Sequence, residues 1–532
     1  MAEVEKTGFA ADGAAAAYNR LKNDRGAYET RAEDCATYTI PSVFPSATAD
    51  GSTSYTTPWQ SIGARGLNNL ASKLMLALFP VGSSFFKLNV SELEVKQSIT
   101  SPEELTEIAT GLAMVERICM NYMESNSFRP TLHAAIKQLL VAGNVLLYIP
   151  STEQVEGQSN APKLYKLHNF VVERDAYDNV LQIVTEDKIA RAALPEDVRK
   201  SLEEAQGDQN PSEEVTIYTH VYRDPEAMVF RSYQEIDGEI VAGTEGEYPL
   251  DSCPWIPVRL IKMPNEDYGR SFVEEYLGDL KSLENLYEAI VKMSMISSKV
   301  LFFVNPNGVT QIRRVAKANT GDFVAGRKQD VEVFQLEKYN DFQVAKATAD
   351  DIEKRLSYAF MLNSAVQRGG DRVTAEEIRY VAGELEDTLG GVYSLLSQEL
   401  QLPLVKILLK ELQATSKIPN LPKEAVEPAI ATGLEALGRG HDLKKLNVFI
   451  DYMIKLAGLQ DDDINLLDVK MRLANSLGMD TTGLILTQQD KQAKMAEAST
   501  AAGMVTAGQQ IGAAGGQAAA AMMQQQAGMP TQ

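Results

Sequence analysis

Apolar residues recur at three- and four-residue spacing through residues 341–413, and the pattern breaks abruptly once inside that stretch. Ile352, Leu356 and Phe360 fall on one face of a first helix, because four residues carry a helix just over one turn. A short loop follows at 363–373, containing Gln367, Arg368, Gly369, Gly370 and Arg372. Thr374 then caps a second helix, with Glu377 three places on to reach back to the free backbone amides. Ile378, Val381, Leu385, Leu389, Val392 and Leu396 continue an apolar stripe towards Pro403. A helix over 375–413 would be roughly 58 Å long, so it must span several layers or pack against neighbouring subunits. Gly390, Gly391 and Pro403 are the positions where it should bend.

Helical patterning also dominates the start of the chain. Residues 9–35 place Tyr18, Leu21, Arg25 and Tyr28 at three- and four-residue intervals, and a polar Ser/Thr-rich loop occupies 46–57. Pro58 and Trp59 open a helix whose Ile62, Leu67, Leu70, Leu74 and Leu78 face one way until Pro80. Residues 102–124 are amphipathic, and 132–140 form a further short helix. From 145 to 262 the period changes to that of strands: 145–149, 164–172, 180–184, 215–222, 228–233 and 256–261 are short and rich in β-branched and aromatic residues. Asp178-Asn179, Asp224-Pro225 and Asp237-Gly238 supply turns between them, giving an antiparallel insert.

Ser271 and Glu274 make another capping box. Tyr276, Leu280, Leu283, Tyr287 and Ile290 then form a stripe along a helix reaching Ser298, suited to packing on a second helix. Residues 301–339 lie between two helices and should form the tip of a helical hairpin, with strands at 301–304 and 331–336. Shorter helices are expected at 423–437, 442–457 and 464–477, and an Ala/Gln/Gly/Met-rich end from 491 reads as disordered. The fold class is therefore α+β, mainly helical.

Composition narrows the function. The chain has 532 residues and a net charge of −21. A protein that coats DNA by displacing its counterions is normally basic, so general DNA coating is disfavoured. The acidity remains compatible with surrounding DNA while letting it slide. The start MAEVEKTG shows no basic region followed by an apolar run, so no signal peptide is expected, and Lys73 and Lys299 interrupt the best candidates for a membrane span. Cys35, Cys119 and Cys253 are too scattered for a metal or redox motif.

No catalytic constellation stands out. Residues 321–328 (GDFVAGRK) have phosphate-loop glycine spacing, but Arg327 replaces the loop lysine and Lys328 the magnesium-binding hydroxyl, which favours a plain turn. His133, His168, His220 and His441 form no metal pair, and the acidic run 461–463 reads as a solvated loop. No enzyme activity, cofactor or metal is expected. Two basic groups remain: Arg368 with Arg372 in the loop, and Arg313, Arg314, Lys317, Arg327 and Lys328 in the hairpin tip. Either is a solvated surface in a monomer; repeated around a symmetry axis, each becomes a positive band that phosphates would meet.

Several long stretches carry a resemblance: RLKNDRGAYETRAEDCATYTIPSVFP at 20–45, PWQSIGARGLNNLASKLMLALFP at 58–80, YGRSFVEEYLGDLKSLENLYEAIVKMSMISSKV at 268–300, and RLSYAFMLNSAVQRGGDRVTAEEIRYVAGELEDTLGGVYSLLSQELQLPLV at 355–405. Together they resemble the portal proteins, or head-to-tail connectors, of short-tailed autographivirus-type phages, over about 7–494. The resemblance implies a homo-oligomeric ring, usually dodecameric, at one capsid vertex of the virion, assembled in the host cytoplasm without membrane insertion. It implies a wing at 1–270, stem helices at 271–300 and 341–362, a clip at 301–340, a channel loop at 363–373, a long kinked wing helix at 374–415 and a helical crown at 416–485; the low-complexity tail at 486–532 is read from composition alone. The implied partners are double-stranded viral DNA, the terminase large subunit, major capsid and scaffolding proteins, internal core proteins and tail adaptor or gatekeeper proteins. A vertex protein that nucleates capsid assembly and never touches DNA is the competing expectation.

Overall fold

The computed structural model describes residues 12–80, 84–90, 102–151, 160–194, 212–297, 301–334, 339–362, 391–419 and 426–430, with isolated positions besides. The chain divides into Met1–Leu437 and Gly438–Gln532, and the described architecture belongs to the first unit. The loop 363–373, Gly390, His441 and the acidic run 461–463 lie outside the described residues, as do the helices expected at 442–457 and 464–477.

Helix α1 (Ala14–Thr37) buries Tyr18, Leu21 and Arg25, and α2 (Ile62–Leu78) buries all five residues of its sequence stripe. Strand β1 (Phe86–Val90) leads to α3 (Pro102–Ser125) and α4 (Phe128–Ala142). The last ends at Gly143, which has φ +74° and donates its N–H to Leu139. A Cβ there would lie 2.5 Å from the backbone of Arg270, so a side chain is excluded twice over. The strands follow: β2 (Asn144–Tyr148), β3 (Lys163–Tyr165), β4 (Phe170–Arg174), β5 (Val180–Ala190), β6 (Glu214–Asp224), β7 (Val229–Ile236), β8 (Glu239–Ile240), β9 (Gly246–Pro249) and β10 (Trp255–Arg259).

They form two antiparallel sheets, one ordered β10-β2-β3, the other β4-β5-β6-β7-β8 with β9 also on β7. The single strand expected at 164–172 is two, separated by a 3-10 turn at Leu167–Asn169 that carries the chain from one sheet to the other. Side chains cover the free edge of β4: the Val172 amide donates to the Tyr268 hydroxyl, the Arg174 amide to Asp267, and Arg25 donates to the Phe170 carbonyl. The turn signals were read correctly, since Asp178, Asp237 and Gly238 all have positive φ.

The hairpin begins with α5 (Phe272–Glu275) and α6 (Leu277–Ser297), interrupted at Tyr276. It continues through β11 (Leu301–Val304), α7 (Ile312–Val315), β12 (Val331–Phe334) and α8 (Tyr339–Ala359). Beyond it, α9 (Gly391–Leu396) passes through a π turn at Ser397–Gln401 into α10 (Leu402–Ala414), and β13 (Val426–Ile430) pairs antiparallel with β1. The strand at β13 corrects the helix expected at 423–437. Pro428 stands in its middle, where a helix interior would lose about 3 kcal/mol, and pairing with β1 satisfies the backbone instead. One large apolar cluster joins α2, α4, β2, β10, α6, α8 and α10. Among the described residues no helix is long and apolar enough to cross a membrane.

Helix starts are satisfied from a distance. Gly13 precedes α1 and offers no capping side chain; Glu235 of β7 accepts the Ala14 amide at 2.6 Å and the Ala15 amide at 3.2 Å. Glu284 of α6 similarly accepts the Trp59 and Gln60 amides at 2.9 and 3.2 Å, before α2. Because Glu235 is buried and its partners are otherwise orphaned, Glu235→Ala should lower stability by about 2 kcal/mol. The check is a lower urea midpoint together with faster hydrogen exchange at the first turn of α1.

Candidate functional site: the helical hairpin and its tip

The hairpin is set by the cap and stripe that the sequence supplies. The Ser271 side chain accepts the Glu274 amide at 3.0 Å, the N-cap half of the expected capping box, while the Glu274 carboxylate pairs with Arg270 at 3.2 Å and Arg31 at 3.3 Å instead of reaching back. On α6, Leu280 and Leu283 are fully buried, and they meet the core face of α8, where Ala349, Ile352, Leu356 and Phe360 are buried. Two polar ties fix the pairing: the Tyr287 hydroxyl donates to Glu353 at 2.7 Å, and Arg355 meets Asp279 at 3.0 Å. The Glu353 hydrogen bond, then burial, push the Tyr287 hydroxyl up to about 12.

Away from this seam the hairpin is unusually apolar for an exposed surface. Met295, Ile296, Val344 and Tyr358 on the helices, and Phe302, Phe303, Val309, Ile312 and Phe323 at the tip, are all exposed. Contiguous apolar surface of this kind is characteristic of interaction sites.

The tip is organised around Asp330. Its carboxylate accepts the Thr310 amide at 3.1 Å and the Thr310 hydroxyl at 2.7 Å, and these bonds hold the carboxyl below the usual range. The Thr310 oxygen in turn accepts the Arg327 amide at 2.8 Å. A Cβ on Gly326 would fall 2.6 Å from that oxygen, which accounts for one glycine of the phosphate-loop pattern. The other, Gly321, has φ +99° in an exposed turn. A phosphate loop needs a helix directly after it; here a single 3-10 turn at Lys328–Asp330 and then β12 follow. Residues 321–327 are an irregular loop running into that 3-10 turn.

Arg313, Arg314 and Lys317 line one open hollow of about 530 Å³ with Asp322 and Phe323. No carboxylate among the described residues lies within salt-bridge distance of these three cations. Arg327 and Lys328, also exposed, are not among the residues lining that hollow, so the basic set is split.

The loop with Gln367, Arg368, Gly369, Gly370 and Arg372 is not described, but the chain running into it is. Helix α8 ends in a Schellman pattern: Leu362 donates to the Ser357 carbonyl and Met361 to that of Tyr358, with Met361 at φ +55° where glycine is usual. Asn69 and Lys73 of α2 both donate to the Met361 carbonyl, at 3.0 and 2.9 Å. The sequence reading missed these two. Lys73 had served only to interrupt an apolar run, and nothing local showed that its ammonium meets a carbonyl some 290 positions away. Of the three hinge positions, Gly391 is helical, as are Leu385 and Leu389 before it, and Pro403 is the second residue of α10, just after the π turn.

Comparison with known proteins decides the family. Residues 11–485 match the family model described as bacteriophage head to tail connecting protein. The chain belongs to that family. This connector is 60% identical over 514 residues to the portal protein of Enterobacteria phage T3, covering 96% of this chain and 95% of the relative. It is 60% identical over 505 residues to that of Escherichia phage T7 (95% and 94%), and 31% identical over 438 residues to that of Enterobacteria phage SP6 (82% of each). Among solved structures, a chain from the neck of an empty gene transfer agent particle aligns with a TM-score of 0.35 at 12% identity, covering 79% of this chain and 90% of that one. Among the described residues no group of three or more His, Cys, Asp or Glu could hold a metal ion.

Proposed function

We propose that this connector is a portal protein. Copies close into a dodecameric ring at one capsid vertex, with α6 and α8 as the stem around a central channel and residues 301–334 as the clip. The observation that carries the reading is the run of exposed apolar side chains from Tyr358 through Val344 and Met295 to Phe302 and Phe323, which a neighbouring copy would cover. The 60% identity to portal proteins of phages T3 and T7 supports it independently. The ring serves as the conduit for packaging and ejecting double-stranded DNA, docks the terminase motor and then the tail, and starts capsid assembly. Arg313, Arg314, Lys317, Arg327 and Lys328 are the docking or DNA-facing cations of the clip. Arg368 and Arg372 lie in the channel loop, Gly369 and Gly370 let that loop change conformation, and Gly390, Gly391 and Pro403 articulate the helix behind it. The net charge of −21 repels phosphate from most of the wall, so those few cations hold DNA by weak, salt-screened contacts.

Electron microscopy of the purified protein tests the ring: closed annuli with a central hole are expected, and their absence even beside the capsid proteins would overturn it. For the loop, Arg368→Ala/Arg372→Ala particles should package DNA but leak it on storage. Each cation removed per copy should also flatten the salt dependence of retention. Retention equal to wild type at every salt concentration would take the two arginines out of the mechanism.

A further inference from the structure

The π turn at Ser397–Gln401 lies in the middle of a helix and is gripped from two sides. Leu402 donates to the Ser397 carbonyl five residues back, one more than an α-helix allows. Pro403 accounts for the wide turn: it has no N–H, and its ring would press on the carbonyl four residues earlier, that of Glu399. On one side Gln401 donates to the Leu78 carbonyl at 2.6 Å and Tyr393 to the Ala77 carbonyl at 3.0 Å, using the free end of α2. On the other, Glu399 takes three bonds from Arg259 of β10: the backbone amide at 3.0 Å, Nη2 at 2.6 Å and Nε at 3.1 Å.

Arg259 is only 2% exposed, while Glu399 keeps 16% of its side chain open to solvent, so the pair is buried on the arginine side. Arg259 also donates to Asp178 at 2.9 Å, which itself pairs with Lys262 at 2.6 Å. Arg174, pinned to the Asp267 and Pro257 carbonyls, sits close enough for the Arg259 charge, after burial, to help lower it to about 10. Glu399 is therefore the carboxylate from the helix that neutralises a crowded pair of arginines.

Space remains on both flanks of this contact. A cavity of about 490 Å³ lies between Leu260, Phe272, Leu389 and Val392, and one of about 360 Å³ between Asp178, Trp255, Glu399 and Pro403. The Glu399 contact is thus the part of the grip bordered by open clefts, while Leu396, Leu400 and Gln401 of the same segment are fully buried.

The geometry points to Arg259 and Glu399 as positioning residues that lock the π turn, fixing the bend between α9 and α10, downstream in the chain of residues 363–373. The consequence for DNA retention rests on reading that stretch as the channel loop.

The test is hydrogen exchange on the assembled full-length protein with Glu399→Gln, which removes the charge, and Arg259→Lys, which keeps charge but loses the fork. Exchange over 391–401 should rise about tenfold or more in Glu399→Gln and less in Arg259→Lys, with the 404–414 segment of α10 unchanged. Unchanged exchange over 391–401, or a uniform rise through α10 and β10, would overturn the lock, the second by reducing the pair to a strut of the whole fold. Particles carrying Glu399→Gln should in addition leak DNA. Faster exchange with undiminished retention would leave the lock standing and instead remove the channel reading of 363–373.

Discussion

Phe360→Ala should destabilise the protein by about 3–5 kcal/mol, the largest effect expected of any single truncation at the hairpin. The ring is fully buried at the end of α8, edge-on to Phe272 with centroids 5.7 Å apart and tilted on Tyr276 at 6.0 Å. Its far side lies on α2 at Gly66, where a Cβ would come within 2.6 Å of the Phe360 ring carbon Cγ. Gly66 has no side chain because the two helices meet there with an aromatic ring between them. Gly66→Ala alone should cost about 1–3 kcal/mol by overpacking. The double variant should lose clearly less than the sum, because the added methyl occupies space the ring has left. Urea unfolding of the four proteins checks this; strict additivity would show that the backbones move apart and that the contact does not set their spacing. Since α8 delivers the chain to 363–373, the same truncation should loosen the Asn69 and Lys73 bonds to Met361, three residues short of that stretch's second position.

How far the sequence reached depends on the range of the interaction involved. Periodicity gave α1, α2, α6 and α8 within a few residues, because a helix that packs along one stripe writes that stripe into its own sequence. The Ser271 cap was readable for the same reason: donor and acceptor are three residues apart. The caps on α1 and the approach to α2 were not, since Glu235 and Glu284 reach them across more than 200 positions. Val426 and Ile430 also fit a helical spacing; Pro428 between them is the local signal against a helix, and the β1 edge supplies the partner that makes the segment a strand. Pro403 signalled a bend, yet not its form: a π turn depends on what grips it, and Arg259 lies 140 positions away. At the tip the five cations were evident as letters, but which three share a hollow follows from the fold of residues 305–330 around Asp330.

Lowering the pH from about 6.5 to 4 should remove about 3 kcal/mol of stability through one side chain, His220. The imidazole is completely buried in the larger sheet, facing the Tyr233 hydroxyl at 3.0 Å and the Gln182 side-chain oxygen at 2.9 Å. Gln182 Oε1 can only accept, which assigns the proton to Nε2 and leaves Nδ1 to accept from Tyr233. The neutral ring is thus fully bonded. Charging it would place a cation where burial, and secondarily the charge of Arg20, oppose it, so its pKa falls from 6.5 to about 4. The sign follows directly. Above pH 6.5 the ring is neutral in both states and the arrangement is intact. Between 6.5 and 4 the unfolded chain takes up a proton that the folded one refuses, so stability falls by the work of that proton and levels off below. Carboxylates titrate in the lower part of this window too, so the measurement is the difference between wild type and His220→Gln, with unfolding midpoints taken at each pH. The variant should start lower at pH 7.5, having lost a fitted ring, and then decline less steeply, by close to one proton at mid-window. Parallel curves would mean that His220 is protonated inside the sheet, and that Tyr233 and Gln182 reorganise to hold the charge.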